Sequence, residues 1–181
     1  MMSNNLYLCD PAKNWFCPKT NCHNPCYHTS DPEFAWDPTL RVRLDEGAYL
    51  PQRAYLPQRP HDTDGGLDIR TPVDAYVRAG GSTVIDTGVH IQLPPGTVGM
   101  FKSKSGLNVK DGIVSEGVID EGYTGSITVK LYNHGTEAKQ FRRGDKITQL
   151  VVLPVLYVKV EQAEEIQGGD RGDGGFGSTG R

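Results

Sequence analysis

Between residues 126 and 133 apolar and polar side chains alternate: Ile127, Val129 and Leu131 point one way, Thr128, Lys130 and Tyr132 the other. A period of two marks a strand with one buried face. Weaker alternation and β-branched runs predict further strands at 42–44, 67–69, 75–77, 83–86, 89–93, 97–102, 146–153 and 157–160. Turn chemistry separates them at Ala79-Gly80-Gly81, Pro94-Pro95-Gly96, Asn133-His134-Gly135 and Arg143-Gly144-Asp145. No window carries an amphipathic helix of three turns. Short, evenly spaced strands predict an all-β sandwich, jelly roll or barrel.

The pattern divides the chain. Residues 1–40 show no period of 2 or 3.6 and form a cysteine-containing N-terminal extension of unassigned role; residues 41–166 form the β domain; residues 167–181 form a glycine-rich tail. A chain of 181 residues with a net charge of −3 and no basic block lacks the surface that nucleic-acid polymers need, so no such partner is expected. The longest near-apolar stretch, 150–158, is broken by Pro154 and is too short to span a bilayer. The first ten residues lack the basic and apolar regions of a signal peptide. These features predict a cytoplasmic protein with no membrane partner.

All four cysteines, Cys9, Cys17, Cys22 and Cys26, lie in the extension, with His23 and His28 among them. Four thiolates, or three with a histidine, suit a tetrahedral structural zinc. Free thiols in a reducing compartment, or a packed arm that extends a subunit contact or binds a protein partner, are the alternatives.

Four polar clusters interrupt the strands. The first spans residues 62–68, where Asp64 or Asp68 could hold a divalent cation directly or through water. The second, Lys104-Ser105-Gly106, reads as a turn that offers a cation, a hydroxyl and a free amide. In the third, residues 117–123, a strand end enters a tight turn. Unpaired backbone groups around Gly117 and Ile119 would read a base edge there, Tyr123 would pack under a sugar, and Asp120 would activate a water. The fourth is the tail, half of whose 14 residues from Gly168 onward are glycine. Such a segment loses much entropy on ordering, so a ligand must order it or it stays loose. Gly177, Ser178 and Thr179 suit phosphate oxygens, Arg171 a bidentate phosphate contact, and Phe176 a base.

Five ordered motifs carry a resemblance to the trimeric deoxyuridine triphosphatase (dUTPase) family. They are Asp64-Gly65-Gly66-Leu67-Asp68-Ile69, Lys104-Ser105-Gly106-Leu107, and Gly117-Val118-Ile119-Asp120-Glu121-Gly122-Tyr123-Thr124-Gly125. Phe141-Arg142-Arg143-Gly144-Asp145-Lys146-Ile147-Thr148-Gln149-Leu150 follows, and then Arg171-Gly172-Asp173-Gly174-Gly175-Phe176-Gly177-Ser178-Thr179-Gly180. The resemblance covers roughly residues 41–181. It implies a jelly-roll-like dUTPase fold of the β-clip type, a homotrimer, and dUTP as substrate. Each of three sites would take the first, second and fourth motifs from one subunit, the third from another, and the tail from the last.

By the same resemblance, Asp120 is similar to the carboxylate that deprotonates the attacking water, and Asp68 to the one that reaches magnesium-bound waters. Ser105 and Gln149 resemble phosphate-chain contacts, Tyr123 the ring beneath the deoxyribose, and Arg171, Phe176, Ser178 and Thr179 the lid contacts. Mg2+ is the implied cofactor. The chain departs from the family at Lys104 and Thr124, where arginine is usual. Two rivals share the fold. A dCTP deaminase, with or without diphosphatase activity, would carry a Ser-Ser-Leu-Ala-Arg segment where this chain has Ser103-Lys104-Ser105-Gly106-Leu107. A nucleotide-gated regulatory binding protein would use occupancy of the site as a switch.

Overall fold

The computed structural model describes residues 39–46, 54–169, 172 and 174. Among the described residues nine strands and one short helix follow in order: β1 (Arg41–Leu44), β2 (Gly66–Arg70), β3 (Ala75–Val77), β4 (Ser82–Gln92), β5 (Thr97–Lys102), α1 (Ser105–Asp111), β6 (Ile113–Ile119), β7 (Ser126–Asn133), β8 (Lys139–Phe141) and β9 (Lys146–Pro154). Seven strands form one continuous, curled sheet in the order β1-β4-β7-β6-β5-β9-β2, and β3 pairs with β8. The all-β, jelly-roll-like fold is therefore as the strand pattern and the resemblance imply.

β6 is where the sheet folds over on itself. Its first half, Ile113 to Ser115, pairs with β7 through Asn133 to Leu131. Its second half, Glu116 to Ile119, pairs with β5 through Lys102 to Gly99. One strand thus belongs to both layers, and the core lies between them. Ile69, Ile85, Val129, Leu131, Phe141 and Leu150 are buried there. β7 shows the alternation read from its residues, with Ile127, Val129 and Leu131 buried and Thr128, Lys130 and Tyr132 exposed.

The structure departs from the strand pattern in five places. The two strands expected at 83–86 and 89–93 are one strand, β4, whose register with β7 breaks between Asp86 and His90. Gly88 sits at φ +64 in that break, and buried Thr87 donates to the Ile127 carbonyl and accepts from the Val89 N–H. The break thus leaves few backbone groups unpaired, so the chain bends without stopping. Lys104-Ser105-Gly106 is the start of a two-turn helix, not a plain turn; Gly112 ends the helix in the left-handed region at φ +66. β6 and β8 lack clear alternation in the sequence and form because neighbouring strands accept them. Among the described residues the 157–160 pattern has no strand partner, and Tyr157, Val158 and Val160 are exposed. No helix among the described residues is long and apolar enough to cross a membrane.

Candidate active site

The motif residues fall into two groups on either side of β5 and β6. In the first, strand register aligns Asp68 of β2 with Gln149 of β9, Gln149 with Lys102 of β5, and Lys102 with Glu116 of β6. Directly paired residues share a face, so these four form one polar row across the sheet. Gly66 leaves room for the Gln149 side chain: a Cβ at Gly66 would lie 2.9 Å from Gln149 Oε1. Lys102 and Glu116 form an ion pair at 2.8 Å. Lys104 occupies the N-cap position of α1 without a capping side-chain hydrogen bond, and the helix presents Ser105 and Gly106 at the surface.

Asp68 is the buried member of the row, at 1 % exposure. Lys104 Nζ donates to its Oδ1 at 2.5 Å. Lys146 Nζ lies 2.6 Å from Oδ2, so each carboxylate oxygen faces an ammonium. Burial alone would raise the Asp68 pKa; the hydrogen bond from Lys104 and the close Lys146 ammonium outweigh it and hold the carboxyl below its ordinary 3.8. Asp68 is therefore an anion that gathers two cations beside Gln149 and Ser105. The motif reading gave Lys146 no role. Its only signal was a lysine three residues before Gln149, and its approach to Asp68 depends on the β2–β9 pairing.

The second group surrounds the end of β6. Because β7 pairs with β6 only through Ser115, the backbone from Glu116 to Ile119 has a strand partner on one side only. A wedge opens there between β6 and β7. It holds a concavity of about 240 Å³ lined by Phe101, Gly117, Ile119, Asp120, Tyr123 and Ile127. Gly117 fits because a Cβ would meet the Phe101 ring at 3.0 Å. The turn that closes the wedge is fixed by hydrogen bonds from the Tyr123 N–H to the Asp120 carbonyl and from the Tyr123 hydroxyl to the Ser126 carbonyl, each 3.0 Å. Gly125 lies under the ring, where a Cβ would come within 2.5 Å of the Tyr123 oxygen.

Asp120 is exposed at the mouth of this wedge and also borders a second concavity, of about 590 Å³, with Thr97, Glu121 and Tyr157. Glu121 accepts the Gly96 N–H at 2.8 Å and the Tyr157 hydroxyl, so it ties the 120–123 turn to the start of the C-terminal segment. The hydrogen bond to Glu121 raises the Tyr157 pKa above its usual 10.0, aided by slight burial and the charges of Glu121 and Asp120. Sequence reading missed Glu121's anchoring role, since nothing local in the sequence links it to Tyr157.

The structure thus brings Asp68, Lys104, Ser105 and Gln149 together, and separately Gly117, Ile119, Asp120 and Tyr123. Neither concavity beside Asp120 is lined by any of the first group. Arg171, Phe176, Gly177, Ser178 and Thr179 lie outside the described residues, as do Cys9, Cys17, Cys22 and Cys26 with the zinc expectation that rests on them. Among the described residues no group of three or more His, Cys, Asp or Glu side chains is placed to hold a metal ion directly.

Comparison with known proteins bears on the same residues. The dUTPase family profile matches residues 52–180. The deoxyuridine 5'-triphosphate nucleotidohydrolase of Clostridium acetobutylicum is 43% identical over 141 residues, covering 76% of this chain and 93% of the relative. The corresponding protein of Crocosphaera subtropica is 40% identical over 142 residues, covering 77% and 96%. Among solved structures, a mutant dUTPase of Staphylococcus bacteriophage 80alpha with dUpNHpp superposes with a TM-score of 0.70 at 28% identity, covering 79% of this chain and 99% of that one. A mutant dUTPase of S. aureus phage phi11, described with a coordinated structural Mg(II) ion, gives 0.63 at 30% identity, covering 70% and 97%. With the family profile spanning the whole β domain from β2 onward, and both polar groups inside it, the chain belongs to the dUTPase family.

Proposed function

We propose that this chain hydrolyses dUTP to dUMP and pyrophosphate as a homotrimer, limiting uracil in DNA and supplying dUMP for thymidylate synthesis in the cytoplasm. The observation that carries this reading is the wedge between β6 and β7. Backbone groups free of one ladder read a base edge there, while Tyr123 and Asp120 sit at its rim. Uracil presents donors and acceptors that such groups can pair; a cytosine edge would leave them unpaired, at a cost of about 1–3 kcal/mol for each buried polar group. The Tyr123 ring crowds a ribose 2'-hydroxyl.

Asp120 takes a proton from a water whose oxygen attacks the α-phosphorus. The bond from that phosphorus to the bridging oxygen breaks, and pyrophosphate leaves. Lys104, Ser105, Gly106 and Gln149 orient the phosphate chain, with Lys146 adding a second ammonium beside Asp68. Phosphoryl transfer is mostly positioning and charge stabilisation, which these groups supply. Mg2+ would be held here only in the outer sphere: the anionic Asp68 carboxylate suits metal-bound waters, and among the described residues no group of three or more His, Cys, Asp or Glu side chains is placed to coordinate a metal directly. When bound with the nucleotide, it neutralises phosphate charge.

Two features favour assembly. The two groups of motif residues occupy different places on one chain, and Leu156, Tyr157, Val158, Val160 and Ile166 are exposed along a C-terminal segment that has no strand partner among the described residues. A neighbouring subunit supplies the surface for that segment, and the tail, with Arg171, Phe176, Gly177, Ser178 and Thr179, closes over the nucleotide.

The test is pyrophosphate release from each dNTP and from UTP, with magnesium, for wild type and Asp120→Asn. Wild type is expected to prefer dUTP strongly, and the variant to lose about 10²–10⁴-fold in kcat, the usual share of a general base. Equal rates on dUTP and dTTP, or a fully active variant, would overturn the assignment.

A further inference from the structure

The turn that presents Tyr123 contains Gly122 and Gly125, so its own two hydrogen bonds leave it room to shift. Further restraint comes from β4. On one flank of the register break, Asp86 Oδ1 accepts from the Ser126 hydroxyl and from the Gly88 N–H at 3.1 Å. The Ser126 carbonyl in turn accepts the Tyr123 hydroxyl. On the other flank, His90 Nδ1 lies 2.8 Å from the Thr124 carbonyl, and its Nε2 lies 3.0 Å from Asp45 Oδ1.

A carbonyl oxygen only accepts, so Nδ1 donates. Asp45 also only accepts. The hydrogen bond from His90, with help from its charge and from Arg43, outweighs the opposing effect of burial and keeps the Asp45 carboxyl below its ordinary 3.8. Both ring nitrogens therefore meet acceptors. The imidazole is 15% exposed and wedged between the end of β1 and the peptide after Tyr123. Arg43 bonds the same Asp45 oxygen at 2.9 Å and steadies it. This grip reaches the turn through the backbone of Thr124. It does not depend on the side chain at 124, where the chain departs from the family's usual arginine.

We propose that His90 is a positioning residue for sugar selection: by holding the Thr124 carbonyl it fixes the Tyr123 ring against the deoxyribose, and so sets the preference for dUTP over UTP. The inference rests on the reading of Tyr123 given above. His90 touches no substrate; it acts by restricting where Tyr123 can go when a 2'-hydroxyl pushes against it.

Two near-isosteric changes separate the two bonds. In His90→Asn the amide nitrogen stands where Nδ1 stood and keeps the Thr124 bond; in His90→Gln it stands where Nε2 stood and keeps only Asp45. The experiment measures kcat and KM for dUTP and UTP with magnesium, alongside thermal denaturation. His90→Gln is expected to raise the dUTP KM and lower the dUTP-to-UTP ratio of kcat/KM by about tenfold, the size of one hydrogen bond, with kcat for dUTP little changed. His90→Asn is expected to recover most of that ratio. Should His90→Gln not fold, Asp45→Asn loosens the other end of the grip and is expected to shift the ratio in the same direction. A ratio unchanged in His90→Gln, or lowered equally in both histidine variants, overturns the inference and leaves His90 a merely structural side chain. A wild type that does not prefer dUTP over UTP would instead overturn the reading of Tyr123.

Discussion

Replacing Asp68 by Asn tests whether this carboxylate organises the phosphate-binding cations. The change keeps the volume and one acceptor oxygen but removes the charge that faces Lys104 at 2.5 Å and Lys146 at 2.6 Å. Breaking a buried ion pair costs about 3–5 kcal/mol, because the remaining charge is left uncompensated. Here the lysine side chains are 22% and 36% exposed and can turn toward water, so screening places the cost nearer about 2 kcal/mol. For a chain of this size that is a fall in Tm of about 4–8 °C.

The sign of the pH dependence follows from the depressed Asp68 pKa. The stabilisation is fully present above the unfolded value, near 3.8, and is lost as pH falls through the lower folded value. The gap in Tm between wild type and Asp68→Asn should therefore be constant from neutral pH down to about 4 and shrink below it. Calorimetry across that pH series, with pyrophosphate release measured at neutral pH, checks both halves. An unchanged Tm with turnover lost would show that Asp68 acts only through the nucleotide and its metal-bound waters. It would refute the structural role argued from burial and the two lysines.

Two further outcomes follow from the site's geometry. Gly125→Ala places a methyl within 2.5 Å of the Tyr123 oxygen, so the ring must move. Steady-state kinetics should show a higher KM for dUTP and about tenfold weaker discrimination against UTP, and unchanged selectivity would show that the ring does not contact the sugar. Mixing Asp120→Asn with Ser105→Ala after joint unfolding and refolding should restore activity that neither variant has alone. If each site takes its third motif from a different subunit than its second, about a quarter of the sites in randomly mixed trimers are wild type. No recovery, with mixed trimers shown by mass, would place both groups within one subunit.

The polar clusters were legible because they are local. Asp120, Gly122, Tyr123 and Gly125 lie within six residues, and their turn needs only the ends of two strands. The strand at 126–133 was legible for a related reason, since a half-buried strand writes its burial into every second residue. The helix at Lys104-Ser105-Gly106 was not, because seven residues hold too little periodicity to stand apart from a turn. β8, three residues long, is a strand only because β3 lies beside it. The 157–160 segment has a strand's side chains and no strand beside it among the described residues, since the pattern records a preference and the partner decides the outcome.

By itself, then, the order of residues determined that this is a β protein with a carboxylate, a tyrosine and a Lys-Ser-Gly cluster in sequence with a glycine-rich tail. The tertiary structure decided the rest: that β6 changes partners at Ser115 and so opens the wedge, that Asp68 is buried between two lysines, and that His90 reaches across to Thr124. The reason lies in range. Turn and strand propensities act over a few neighbours, whereas register, burial and the pairing of charges join residues 34 and 36 positions apart and exist only once the sheet has closed.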